Sequence, residues 1–266
     1  MSSFITTKSV RNSNLFTGKK FRVMPILAFI SAMIVGITGL NAQLQLTENF
    51  SYTASTVLNI NDANSGHTGA TYTNSTTGFY SNSAPTTNPI KVTASGTGLS
   101  YTGSPNSAVG LAAALTTSGD DIIKPIGTSN TSGAVYGAFM VNVSAAQSTG
   151  DYFFNLNDGT AYALRVFIKS SGTGFLFGLS KNGGTTVYET TTPVRTFNTT
   201  YYVVVKYLFN NSTTTDDVVS LFVNPLLGYQ TEPTPTTTTT GTTSDAASIS
   251  GFSFRQGAAG LSLIHI

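Results

Sequence analysis

The chain has no cysteine and no tryptophan, and only 9% of its 266 residues are charged. The missing thiols exclude a disulfide scaffold, a thiolate zinc site and a cysteine nucleophile. Histidine is almost as scarce, with two in the chain. His67 stands alone in a glycine-rich stretch and no Gly-x-Ser-x-Gly elbow occurs, so histidine-activated nucleophilic catalysis has no footing. Ordinary soluble domains carry about 25% charged residues, so this surface must be built mostly from neutral polar groups.

What is abundant points to strands. Threonine supplies about one residue in six and 40% of the chain is apolar, a composition that favours strands and turns over helices. The same apolar content, with little net charge, argues against disorder. The length suits one large all-β domain once a leader is removed.

Residues 1–42 read as an export signal. Lys8, Arg11, Lys19, Lys20 and Arg22 form a basic start, an apolar run follows from 23 to 40, and Leu40-Asn41-Ala42 closes it as a cleavage site. Gln43 then becomes the mature N-terminus. A permanent anchor fits less well, because the run contains Pro25 and Gly36 and no basic stop follows it; no membrane association is expected after cleavage. All eleven acidic residues but only eight of the thirteen basic ones follow position 42, so the mature chain carries a formal charge of −3. No basic stripe remains for a nucleic-acid backbone, and no nucleic-acid partner is expected. At the other end, LSLIHI at 261–266 resembles the translation of a transposon-end sequencing adaptor. On that reading the native sequence is cut off at Gly260 and His67 is its only histidine.

Alternation of apolar and polar residues is clearest between 135 and 223. Val135, Phe139, Val141 and Val143 make one inward row, and Tyr152, Phe154 and Leu156 a second. Tyr162, Leu164, Val166 and Ile168 make a third, and Phe175, Phe177 and Leu179 a fourth. Asn157-Asp158-Gly159 supplies a hairpin turn between the second and third. YYVVVKYLF at 201–209 is apolar on nearly both faces and reads as a central strand. Val219, Leu221 and Val223 follow before Pro225 stops pairing. AVGLAAAL at 108–115 suits either one helical turn or a strand. TEPTPTTTTTGTTS at 231–244 is a low-complexity loop, extended or mobile, and the strand pattern resumes at 249–255. Short strands with frequent turns predict an all-β, antiparallel two-sheet sandwich. A final strand is expected after Gly260 and is missing, which would leave an open sheet edge.

Seven stretches carry a resemblance: LTENFSY at 46–52, GLSYTGSP at 98–105, AVYGAFMVNVS at 134–144, DYFFNLNDG at 151–159, YYVVVKYLF at 201–209, DVVSLFVNP at 217–225 and FSFRQG at 252–257. Their order resembles secreted laminin-G-like, concanavalin-A-like jelly-roll modules of Bacteroidetes-type surface proteins. The resemblance implies a jelly-roll fold, one more strand with an acidic residue and an aromatic end, further modules, and a type IX secretion signal. It implies a secreted or cell-surface location and no defined activity.

The residues themselves offer little for catalysis. Sandwich glycosidases need two carboxylates across the scissile bond, whereas Glu48, Glu189 and Glu232 are far apart and in loop-like settings. Asp120-Asp121 and Asp216-Asp217 would point to opposite faces on a strand and read as solvated loop residues. Asn61-Asp62-Ala63-Asn64-Ser65-Gly66 spaces oxygen ligands as calcium loops do but lacks the downstream glutamate, and such strings more often just turn the chain. No catalytic residue, metal or cofactor is expected, and the protein reads as a non-enzyme.

If the inward rows form the core, the outward positions carry Tyr136, Met140, Phe153, Asn155, Arg165, Phe167, Tyr202, Lys206 and Phe222. Rings cover the apolar face of a sugar while amides and cations hydrogen-bond its hydroxyls. Tyr136, Asn155, Arg165, Lys206 and Phe222 are therefore the candidate ligand-binding residues, for a polysaccharide or cell-surface glycan, provided the strands place them on one surface. The expected function is a non-catalytic extracellular carbohydrate-binding or adhesion module of a larger surface protein. The alternatives are a ligand-free spacer, or an accessory module of an enzyme whose catalytic domain lies beyond the cut.

Overall fold

The computed structural model describes residues 43–59, 78–81 and 88–257, apart from single positions 97, 106, 117, 160, 192 and 230, together with the backbone of Ile264–His265. Residues 1–42, read above as an export signal, His67 and the Asp62 stretch lie outside the described residues. Among those described there are strands and no helix. They are β1 (Lys91–Val92), β2 (Ala113–Leu115), β3 (Ile122–Asn130), β4 (Ala134–Val143), β5 (Asp151–Asn157), β6 (Tyr162–Ser171) and β7 (Gly174–Lys181). After these come β8 (Val187–Tyr188), β9 (Thr200–Leu208), β10 (Val218–Val223), β11 (Thr237–Thr239), β12 (Ile249–Phe254) and β13 (Ile264–His265).

Two sheets result. The seven-stranded sheet runs β1-β2-β13-β4-β9-β10-β11 and the six-stranded sheet β3-β12-β5-β6-β7-β8. Every strand pairing is antiparallel. The chain meanders through β5 to β8 in one sheet, crosses to β9 to β11 in the other, then returns to insert β12 between β3 and β5. Such long returns are Greek-key crossovers, and they make this two-sheet sandwich a jelly roll.

β9 shows why these residues form strands. Burial alternates along it, with Tyr201, Val203, Val205 and Tyr207 inward. β-branched and aromatic residues at such positions fit a pleated surface that is buried on one side. β4 and β10 flank it, so the strand is internal to its sheet as expected. The inner faces meet in one core that includes Val141, Phe154, Leu164, Val166, Phe177 and Leu221. Asn157-Asp158-Gly159 does turn β5 into β6, with Gly159 at φ 97° and its N–H donating to Asn157 Oδ1 at 2.9 Å. The ambiguous 108–115 stretch contributes β2, and β11 lies within the Thr/Pro-rich 231–244 stretch.

Two register shifts overturn part of the expected alternation. Asn155 faces Arg165 and Phe154 faces Val166, but the next partner, Phe167, faces Tyr152. Phe153 is the extra residue of a β-bulge and turns into the core, 1% exposed and edge-on to Phe139 at 6.1 Å between ring centroids. At the other end Leu156 faces Leu164, yet Asn157 faces Tyr162, so Ala163 is the extra residue there. Tyr152 and Tyr162, expected inside, thus stand on the outer face, and Phe153, expected outside, is core. One added residue inverts a two-residue period.

Two further expectations need correction. β13 pairs with β2 on one side and β4 on the other, so a strand fills the place after Gly260 where none was expected. Several acids expected in solvated loops are buried with partners. Glu189 is 3% exposed, accepts the Phe177 N–H at 2.9 Å and pairs with Arg195 at 2.7 Å. Asp217 is 1% exposed and accepts from the Tyr207 hydroxyl at 2.5 Å and the Asn210 N–H at 2.6 Å. Asp120 is buried as well. The partners of Glu189 and Asp217 offset the cost of taking a carboxylate out of water.

Candidate functional site

The outer face of the six-stranded sheet gathers chemistry in three outward rows. One crosses the sheet as Ile123, Ser253, Asn155, Arg165 and Ser180. Beside it run Gly251, Asn157 and Tyr162, and on the other side Tyr152, Phe167, Gly178 and Tyr188. The two bulges bring Tyr152 and Tyr162 to this surface. Bulges recur beside functional sites because they re-aim side chains.

A cleft of about 160 Å³ opens between the first two rows, lined by Ser81, Asp121, Asn155, Asn157, Tyr162 and Arg255 together with their neighbours. Asn157 Nδ2 donates to Asn155 Oδ1 at 2.9 Å and to Ser253 Oγ at 2.6 Å. These bonds hold the floor in one arrangement, the preorganisation a polar ligand requires. Tyr162, 36% exposed, forms part of the rim. Its ring lies 5.7 Å from that of Tyr152, which in turn lies 5.6 Å from Phe167.

Cations sit on these rings. The Arg165 guanidinium is 5.0 Å from the Tyr152 centroid, 5.7 Å from Phe167 and 6.0 Å from Tyr162. Arg255 lies 4.3 Å over the same Tyr152, and Lys169 Nζ 4.1 Å over Tyr188. Gly178 makes the last contact possible, since a Cβ there would come within 2.7 Å of the Tyr188 ring. Each such contact is worth about 0.5–2 kcal/mol, more as water is excluded.

The acids of this face belong to Arg255. Its Nη1 pairs with Asp151 Oδ1 at 2.7 Å and its Nε approaches Asp121 Oδ2 at 3.7 Å. Asp121 Oδ1 also accepts the Gln256 N–H at 3.0 Å. Burial in the cleft pushes the Asp121 carboxyl up to about 6, against the opposing pull of the Gln256 N–H and Arg255. Its side chain keeps 45% exposure, so water screens part of that penalty. Burial likewise pushes the Tyr152 phenol up to about 12, despite Arg255.

The opposite outer face differs. Tyr136 and Lys206 are register partners across β4 and β9. Glu232 accepts from both, at 2.5 Å from the Tyr136 hydroxyl and 2.8 Å from Lys206 Nζ. Tyr101 stacks on Tyr202 at 5.5 Å, and Phe222 is only 3% exposed.

The five candidates therefore do not share one surface. Asn155 and Arg165 are brought together on the six-stranded sheet, while Tyr136 and Lys206 meet on the other side of the sandwich. Phe222 lies on that second side and is 3% exposed; Asn155 and Asn157 are 1% and Ser253 3% exposed, at the floor of the cleft. Sequence alternation missed Tyr152 and Tyr162, because no residue pattern announces a bulge. It also left out Asn157, Ser253, Asp121 and Arg255, which long-range pairing of β12 and β3 delivers to the cleft.

Among the described residues, Asp216, Asp217 and Asp245 place carboxylate oxygens within 4.8 Å of one another. Asp245 takes Lys181 Nζ at 2.6 Å and the Asp216 and Asp217 N–H groups at 3.0 Å, and Asp217 is held by Tyr207 and Asn210, whereas Asp216 Oδ1 is buried with no hydrogen-bond partner among the described residues. The cluster is built around a lysine rather than laid open to an ion.

No protein-family profile and no curated protein matches the chain. Solved structures are similar in fold. They include an alginate lyase mutant in complex with an alginate tetrasaccharide (14% identity, TM-score 0.40, covering 58% of this chain and 77% of that one). Another is a native SAP-like pentraxin from Limulus polyphemus (12%, TM-score 0.34, 51% and 64%). A third is a tetrameric galectin from the ball sponge Cinachyrella (15%, TM-score 0.33, 54% and 94%).

Proposed function

We propose that this protein is an exported, non-catalytic carbohydrate-binding module that holds a glycan across the outer face of its six-stranded sheet. The observation that carries the reading is the cleft itself. Fixed amide and hydroxyl groups from Asn155, Asn157 and Ser253 converge beside the exposed ring of Tyr162. Sugars are bound by that pairing, with a ring against the apolar face of the pyranose and oriented donors and acceptors at its hydroxyls. Asp121 and Asp151, the acids of this face, are both engaged by Arg255, which suits binding better than acid–base work. The leader-like residues 1–42 support export, and the low charge supports a place at a cell surface, as one part of a larger protein.

The test is a glycan array followed by titration calorimetry on the hits, with Tyr162→Ala alongside. Binding by the parent protein that falls about tenfold in the variant supports the reading. The absence of binding to any glycan would favour a ligand-free spacer instead.

A further inference from the structure

The eight basic side chains that follow position 42 are unevenly committed. Lys124, Lys181, Arg195, Lys206 and Arg255 each make an ion pair with a carboxylate. Lys91, Arg165 and Lys169 make none among the described residues. Two of those three, Arg165 and Lys169, stand on the outward row of β6 with Phe167 between them. Four residues of strand separate them by about 13 Å.

Both are held by rings rather than by acids. Arg165 lies against Tyr152, Tyr162 and Phe167, and its buried Nε has no hydrogen-bond acceptor among the described residues. Lys169 lies on Tyr188. Aromatic faces fix a cation in place without neutralising it. A guanidinium so placed keeps its donors for an outside acceptor, and carboxylate or sulfate oxygens match its fork best. Asp121 and Asp151, on the same face, both pair with Arg255. The mature chain is negative overall, so this row is a local positive field on an acidic protein.

Resting on the glycan-binding reading above, we propose that the ligand is an acidic polysaccharide, with Arg165 and Lys169 taking successive carboxylate or sulfate groups along the chain. Neutral hydroxyls lie in the Asn155–Asn157 cleft, and the anionic groups lie along β6.

The experiment compares matched polymers on the full chain by biolayer interferometry: polygalacturonate against its methyl ester, and dextran sulfate against dextran. At least one acidic member binds 10-fold or more tighter than its neutral partner, and the preference shrinks as salt rises from 50 to 500 mM, as expected for exposed charges. Arg165→Gln with Lys169→Gln removes the preference, bringing the acidic and neutral members of each pair to the same affinity. Lys91→Gln, on the other sheet, changes nothing and controls for loss of bulk charge. Unchanged far-UV circular dichroism keeps the double variant interpretable. Which of the two acidic polymers wins separates carboxylate from sulfate recognition. Equal binding of acidic and neutral partners, or a preference that survives the double substitution, overturns this inference and leaves the glycan reading standing. Binding to no polymer overturns both.

Discussion

The two outer faces of the sandwich are built from the same kinds of residue and end in different states. Each offers tyrosines and a cation on adjacent strands: Tyr136 with Lys206 on one side, Tyr152 and Tyr162 with Arg165 on the other. On the seven-stranded sheet, Glu232 returns to that pair and accepts from both partners, while Tyr101 covers Tyr202. On the six-stranded sheet no carboxylate among the described residues pairs with Arg165, and a cleft of about 160 Å³ stands beside it. Composition alone therefore does not make a binding surface. What decides is whether the chain satisfies its own polar groups before a ligand arrives.

The largest effect is expected at the bulge that turns Phe153 inward while Phe167 stays on the outer face. Phe153→Ala empties a core position and should lower stability by about 3–5 kcal/mol, as large-to-small core changes do. Phe167→Ala, on the outer face, should cost about 1 kcal/mol or less. Denaturant melts of the two variants side by side check this, and equal losses would remove the bulge from the account.

Next in size come the tyrosines. Tyr162→Ala should weaken glycan binding by about 1–2 kcal/mol, in the range of an aromatic anchor. Tyr136→Ala should leave the affinity unchanged, because its face is occupied from within. Isothermal titration of both variants reads the contrast directly.

A smaller effect concerns Glu232. Its pair with Lys206 is partly exposed, so Glu232→Ala should change stability by less than about 1 kcal/mol. The same substitution should leave glycan affinity at the parent value. A gain of binding in that variant would show the two faces to be equivalent once uncovered.

The smallest effect is a pH dependence. Asp121 is raised from its ordinary 3.8 to about 6, chiefly by burial, and it faces Arg255, Asp151 and Asp120. As pH falls from 7 through about 6, this carboxyl takes up a proton and its negative charge beside the cleft is lost. Affinity for dextran sulfate, whose own charge is constant over that range, should rise a few-fold and then level off near pH 4. Folding stability moves the same way. The folded state binds more protons than the unfolded one between roughly 4 and 6, so stability falls as pH rises across that window. Asp121→Asn should flatten both curves.

Much of the fold was readable because alternation dominates where one side of a strand is buried. The rows Leu164–Val166–Ile168 and Phe175–Phe177–Leu179 are core as their spacing implies. The hairpin at Asn157-Asp158-Gly159 follows from local turn chemistry. The site was harder to read, and for a different reason. Asn155 and Arg165 were found because they sit on regular stretches of β5 and β6. Tyr152 and Tyr162 were assigned to the wrong side because each lies just past a bulge, where a two-residue period no longer holds. Asp121 just precedes β3 and Arg255 just follows β12, far apart in sequence, and only the return of β12 against β3 and β5 places them together. Glu232 was the hidden variable on the other face: a loop acid whose partner is chosen by tertiary contact.

The most direct test of the account is chemical-shift mapping of the isotope-labelled protein titrated with a bound acidic oligosaccharide. The account predicts perturbations at Asn155, Asn157, Tyr162, Arg165 and Lys169, with Tyr136, Lys206 and Glu232 silent. Shifts centred on Tyr136 and Lys206, with the six-stranded face unmoved, would contradict it.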